Sequence, residues 1–105
     1  MSADGKLVRD RIPEIIRASG AEPVTYQADP AEFRRRLRDK LLEEVDEFLQ
    51  ADDATAVEEL ADILEVVYAL AADLGTTTEA LETTRAAKAG ERGAFTDRTI
   101  WAGTR

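Results

Sequence analysis

The sequence predicts an all-α fold, an antiparallel helix hairpin extended to a small four-helix bundle by a short N-terminal helix and a C-terminal helix. Two long stretches, from Pro30 to about Gln50 and from about Thr55 to Leu74, carry apolar residues at helical spacing. Only the polar connection 52–55 separates them, and short connections join antiparallel neighbours. At 105 residues the chain is expected to form one domain, residues 1–105, whose small core would gain from oligomerisation.

The N-terminal part predicts a short helix followed by the first long one. Asp10 is a candidate N-cap ahead of Pro13, a residue tolerated in a first turn, and Ser19-Gly20 would end this helix. Asp29-Pro30 opens the first long helix by the same cap-then-proline rule.

Beyond the hairpin, Gly75 is expected to end the second long helix, and Glu79–Ala89 predicts a weaker third one. The stretch Gly90–Phe95 is interpreted as a glycine-punctuated loop. Segments 23–27 and 98–101 are rich in β-formers, and since a lone strand is unstable they are candidates for two short paired β-strands.

Composition excludes several kinds of site. The chain has no Cys and no His, so it offers no thiolate or imidazole for zinc and no His-assisted serine chemistry. Its 22 acidic and 14 basic residues give a net charge of −8, which argues against binding a nucleic-acid polymer. No apolar run approaches the length of a membrane span and no secretory h-region follows the start, so we expect a cytoplasmic protein without a membrane partner.

The two long helices each place a pair of carboxylates on or beside their apolar face. At about 100° per residue, Glu44 falls between Phe33 and Leu37, and Glu59 falls inside the apolar face of the second helix. Glu47 and Asp62 lie three residues further on, at the margins of these faces. Buried carboxylates need a cationic partner, and oxygen ligands suit a hard cation such as Mg²⁺, or Mn²⁺. The alternative is that the acids pair with Lys40 or with the arginines of 34–38.

These motifs resemble those of the MazG-like all-α nucleoside triphosphate pyrophosphohydrolases. The diagnostic E-x-x-E and E-x-x-D patterns correspond to Glu44 with Glu47 and Glu59 with Asp62. The likeness is to a branch of small proteins, phosphoribosyl-ATP pyrophosphohydrolase-like, that begin K-L-V-R-D-[KR]-I-P-E-I-I. The resemblance spans four segments, Lys6–Ile16, Lys40–Phe48, Glu58–Glu65 and Lys88 with Glu91–Phe95. One departure is Gly93-Ala94, where the family usually has Gly-Gly.

The resemblance implies Mg²⁺-dependent hydrolysis of a nucleoside triphosphate between the α and β phosphates, by a homodimer or homotetramer that serves nucleotide-pool house-cleaning. Rivals are the phosphoribosyl-ATP step of histidine biosynthesis and a non-catalytic acidic helical module that binds a partner protein. On this hypothesis the metal and catalytic residues are the four carboxylates, and a set of cations contacts the substrate phosphates. The metal and catalytic residues are Glu44, Glu47, Glu59 and Asp62. The phosphate-binding residues are Lys40, Lys88, Arg92, Lys6 and Arg9.

Overall fold

A computed structural model describes residues 5–105 and contains four helices in that range. They are α1 (Ile12–Ala18), α2 (Pro30–Gln50), α3 (Ala56–Asp73) and α4 (Thr78–Arg92). The all-α prediction is confirmed. No helix of the described part of the chain is long and apolar enough to cross a membrane.

Local signals set the helix ends. Asp29 caps α2, its carboxylate accepting the backbone N–H of Glu32 at 2.8 Å, with Pro30 in the first turn as predicted. Gly75, at φ 83°, follows the end of α3. α1 begins one residue later than expected, with Arg11 at its N-cap in place of Asp10.

The hairpin of α2 and α3 is the centre of the fold. These two helices pack against each other, α4 contacts α3, and the backbone of α1 approaches no other helix closely. Among residues 5–105 the buried apolar side chains are few, namely Leu37 on α2 and Val66 and Ala71 on α3. The radius of gyration is 18.0 Å, against about 13 Å for a compact domain of 100 residues. The single chain is thus an extended hairpin with attachments, looser than the small four-helix bundle that we expected.

The predicted C-terminal loop is partly helical. α4 continues through Gly90 to Arg92 and ends at Gly93, whose φ of 81° suits only glycine well. A glycine inside a helix costs about 1 kcal/mol relative to Ala, and the neighbouring turns of α4 outweigh it.

The expectation of two paired strands is wrong for the described residues, since neither 23–27 nor 98–101 forms a strand within 5–105. The first segment is held by the start of α2, where the Tyr26 hydroxyl donates to Glu32 at 2.5 Å. The second leaves Ile100 and Trp101 largely exposed, so it buries too little apolar surface to pair.

Candidate functional site

The antiparallel hairpin brings carboxylates of both long helices together. Glu44 on α2 faces Glu59 and Asp62, which lie one turn apart on α3. One carboxylate oxygen from each of the three lies within 4.8 Å of the others. We call these three residues the carboxylate cluster. Three of the four carboxylates that the sequence selected thus converge.

Glu44 is the buried member of the carboxylate cluster, with 7% of its surface exposed. Burial raises the pKa of its carboxyl group above the ordinary value, and the nearby charges of Glu47 and Asp62 raise it further. Lys40 opposes this shift without cancelling it. The carboxylate of Glu44 is therefore held at an energetic cost in the absence of a cation.

Two oxygens in the carboxylate cluster have no partner within the described chain. They are Oε2 of Glu44 and Oε2 of Glu59, both buried from solvent and without a hydrogen bond. A buried polar atom without a partner is unfavourable and marks a place where a ligand or ion belongs. The two oxygens come from different helices, so a single ion between the helices would satisfy both.

Glu47 lies beside the cluster and not in it. It is exposed, one turn after Glu44, and its charge contributes to the raised pKa of Glu44. Its role as a metal ligand stays a prediction. Its position leaves its carboxylate open to solvent while still next to the cluster.

Two of the predicted cations contact the cluster directly. Arg9 Nη2 lies 2.7 Å from Asp62 Oδ1, which ties the segment before α1 to α3. Lys40 Nζ lies 3.5 Å from Glu44 Oε1 and 3.4 Å from Glu43 Oε2. These ion pairs leave the two buried oxygens of Glu44 and Glu59 unpartnered.

Glu43, next to Glu44 in the sequence, also takes part in these ion pairs, although the helical wheel did not select it. It is half-buried and receives both Lys40 and Lys6, the latter at 3.6 Å. The i,i+3 spacing of Lys40 and Glu43 was a signal for the first pair. No local sequence pattern indicated the second pair, which joins residues 5–11, here called the N-terminal segment, to α2.

Lys88 and Arg92, the other predicted phosphate-binding residues, are not brought to the carboxylate cluster. Both lie exposed on α4, and neither is in an ion pair among residues 5–105. α4 packs against α3 alone, so it offers its cations to solvent in this chain.

A cavity of about 520 Å³ opens beside the cluster, between the N-terminal segment and the hairpin. Glu44, Asp62, Lys40 and Arg9 line its charged end. The rest of its wall contains the charged residues Asp10, Arg11 and Glu65 and the apolar residues Leu7, Val8, Ile12, Ile15, Phe33, Leu37, Val66 and Ala69. This volume falls in the range of small-molecule sites, and a charged end on an apolar wall suits a ligand with both characters.

The alternative, in which the acids pair with Lys40 or with the arginines of 34–38, holds in part, since Lys40 pairs with Glu44. Arg34 pairs with Asp73 at 2.8 Å, while Arg35 and Arg36 pair with Glu32. Of the residues proposed for that role, only Lys40 reaches the cluster. Carboxylate oxygens alone, two of them buried and unpartnered, make a donor set that fits a hard divalent cation.

Comparison with known proteins agrees with the family resemblance of the sequence motifs. The family model of phosphoribosyl-ATP pyrophosphohydrolase matches residues 10–88, which include the whole hairpin and every carboxylate described above. An uncharacterized protein of Mycolicibacterium smegmatis is 51% identical over 51 residues, 49% of this chain and 52% of that protein. The match thus spans about half the length of that relative. No solved structure matches the chain. As the sequence motifs predicted, the chain belongs to the MazG-like phosphoribosyl-ATP pyrophosphohydrolase family.

Proposed function

We propose that this protein hydrolyses a nucleoside triphosphate between the α and β phosphates, giving a nucleoside monophosphate and pyrophosphate for nucleotide-pool house-cleaning. The observation that supports this most is the carboxylate cluster with its two buried, unpartnered oxygens. Cations and an apolar cavity adjoin it, as a phosphate chain with an attached nucleoside requires.

The cluster would hold Mg²⁺, with Mn²⁺ as the substitute. Glu44, Glu59 and Asp62 are the ligands, and Glu47 stands beside them. When bound, the cation would supply positive charge that offsets the negative charge developing on the phosphate oxygens. With a net charge of −8, the protein would need positive charge at the site to bind an anionic substrate, and this net charge favours a free nucleotide over a nucleic-acid polymer.

Glu47 is our candidate for the general base. It is exposed beside Glu44 and lies outside the group of three, so its carboxylate remains available to accept a proton. Water would attack the α-phosphorus in line, its proton passing to Glu47. The bond from the α-phosphorus to the bridging oxygen would break, and pyrophosphate would leave with that oxygen.

The phosphate chain would be held by the cations of the N-terminal segment and α2. Lys40 and Arg9 contact the cluster directly. Lys6 pairs with Glu43, which also pairs with Lys40. Lys88 and Arg92 would join them from α4 of another copy of the chain. We place the nucleobase of the substrate in the apolar part of the cavity, beside Phe33.

A homo-oligomer, a dimer or a tetramer, is part of this proposal. Residues of α3 spaced at helical intervals form an exposed apolar stripe, Val57, Leu60, Leu64 and Tyr68. The fully buried core of the single chain is small and its shape is extended. A second copy is the occupant we assign to the stripe, because the hairpin alone buries too little apolar surface for a stable domain.

The second candidate substrate is phosphoribosyl-ATP, cleaved at the corresponding bond. The family model that matches residues 10–88 favours it. The cluster, cations and cavity would serve both substrates, because the bond and its charge are the same.

Pyrophosphate release separates these candidates. The purified protein is assayed with Mg²⁺ against standard and damaged dNTPs, NTPs and phosphoribosyl-ATP. Turnover of one or more triphosphates supports house-cleaning, whereas turnover of phosphoribosyl-ATP alone would replace it with the histidine-pathway step. No turnover, together with no binding of Mn²⁺, would leave the acidic interaction module as the function.

A further inference from the structure

Arg9 occupies a carboxylate that the cation also needs. We propose that Arg9 and the divalent cation compete for Asp62, and that Arg9, displaced by the cation, then binds the substrate phosphates. This inference rests on the proposed function and goes beyond it, because it assigns one residue two successive partners.

The geometry of the ion pair supports the competition. Arg9 Nη2 and Asp62 Oδ1 are 2.7 Å apart, and Asp62 also belongs to the carboxylate cluster. A divalent cation bound there would lie close to the guanidinium, and the two positive charges would repel each other. Without the cation, Arg9 thus supplies part of the positive charge that the cluster requires.

The exchange favours the cation for two reasons. The ion pair is about half-exposed, 56% for the Arg9 side chain and 39% for Asp62, and exposed pairs of this kind contribute little to stability. Arg9 also leaves Oε2 of Glu44 and of Glu59 unpartnered, whereas a cation between the helices would satisfy them.

A released Arg9 would stay near the substrate. The N-terminal segment keeps two other attachments to α2, since Arg36 Nη1 donates to the carbonyl oxygen of Gly5 at 2.6 Å and Lys6 pairs with Glu43. Arg9 also lines the charged end of the cavity. Its side chain needs only to turn from Asp62 to a phosphate in the same cavity, where a guanidinium can bind two oxygens.

Opposite effects on two affinities test this proposal. Arg9→Gln should bind Mn²⁺ roughly two- to fivefold more tightly in the absence of substrate, the size expected for an exposed ion pair. At saturating Mn²⁺ the same variant should bind methylenediphosphonate, a non-hydrolysable analogue of pyrophosphate, roughly tenfold or more weakly. Both dissociation constants can be measured by titration calorimetry. A residue with a merely structural role would not shift them in opposite directions.

Arg17→Gln is the matched control. Arg17 is an exposed arginine of α1 that pairs with Glu22 at 3.7 Å, and neither residue belongs to the cluster or lines the cavity, so both dissociation constants should stay at their wild-type values. Arg9→Lys keeps the charge and should restore most of the wild-type behaviour. If Arg9→Gln leaves either dissociation constant unchanged, the exchange is refuted while the proposed function stands. If the wild type binds no Mn²⁺, both are refuted.

Discussion

Most predicted site residues of the hairpin come together within one chain, whereas those of α4 do not. The hairpin buries Glu44, gathers three carboxylates within 4.8 Å and draws Lys40 and Arg9 to them. α4 leaves Lys88 and Arg92 exposed and away from the cluster. The carboxylate cluster is therefore assembled within the single chain, whereas the cations of α4 do not reach it there.

The largest expected effect concerns the hairpin. Glu59→Gln removes a cluster carboxylate while keeping the shape of the side chain, and pyrophosphate release should fall roughly a hundredfold or more, since the bound cation is worth several kcal/mol. The far-ultraviolet circular dichroism should stay unchanged. Glu58→Gln is the control, because Glu58 is exposed one residue earlier on the same helix and should keep its activity. Equal losses in both variants would contradict the role of the cluster.

The next effect concerns α4. Arg92→Ala should lose activity, and mixing it with the inactive Glu59→Gln should restore up to about a quarter of wild-type activity, if one chain supplies carboxylates and its symmetric partner the arginine. Mixing Glu59→Gln with Glu44→Gln should restore nothing, because both defects lie in the same half of the site. A lack of recovery in the first mixture, with a monomeric mass by light scattering, would show that α4 stays outside the site.

A smaller effect concerns the cost of keeping the hairpin's acids together without a cation. Because the pKa of Glu44 is raised in the fold, the folded chain binds this proton more tightly than the unfolded chain does. The free energy of unfolding of the metal-free protein should therefore fall as the pH rises from about 4.5 through the raised value. Glu44→Gln should lose this slope and be the more stable protein at neutral pH.

Urea unfolding in the presence of a chelator, repeated from acid to neutral pH, checks this. Glu58→Gln should keep the wild-type slope, since its carboxylate is exposed. A Glu44→Gln variant that is less stable than the wild type at neutral pH would mean that the ion pair with Lys40 outweighs burial and repulsion.

The smallest effect concerns the scaffold alone. Asp29→Ala removes the N-cap of α2 and should cost about 1 kcal/mol, a fall of a few degrees in Tm, with little change in activity per folded molecule. Asp53→Ala, at an exposed position of the hairpin connection, should have no measurable effect on Tm. Thermal denaturation followed by circular dichroism compares the two.

Local patterns were sufficient for the parts of the molecule that depend on neighbours in sequence. The Asp29-Pro30 start and the Gly75 end followed from capping rules, and the helical wheel placed Glu44 and Glu59 on the packed face. The antiparallel hairpin then brought Asp62 opposite Glu44, because a short connection fixes the direction of the second helix.

The parts that failed depend on long-range contacts. The pairing of Lys6 with Glu43 and of Arg9 with Asp62 joins residues far apart in sequence, and no periodicity encodes it. The two segments proposed as strands had suitable composition, but strand formation also needs a paired neighbour, and neither segment forms a strand within residues 5–105. Gly90 was misinterpreted for the opposite reason, since a local breaker was outweighed by the helix on both sides of it.

The ion pair between Arg34 and Asp73 has a consequence for how this chain can change. Arg34 donates to the Asp73 carboxylate at 2.8 Å and to its carbonyl oxygen at 3.3 Å, at the open end of the hairpin. It adds a contact between the two helices at the end opposite the turn, so the turn is not the sole constraint on their alignment. The connection 51–55, of which residues 52–55 are exposed, is consequently where we expect inserted sequence to disturb the spacing of Glu44 and Glu59 least.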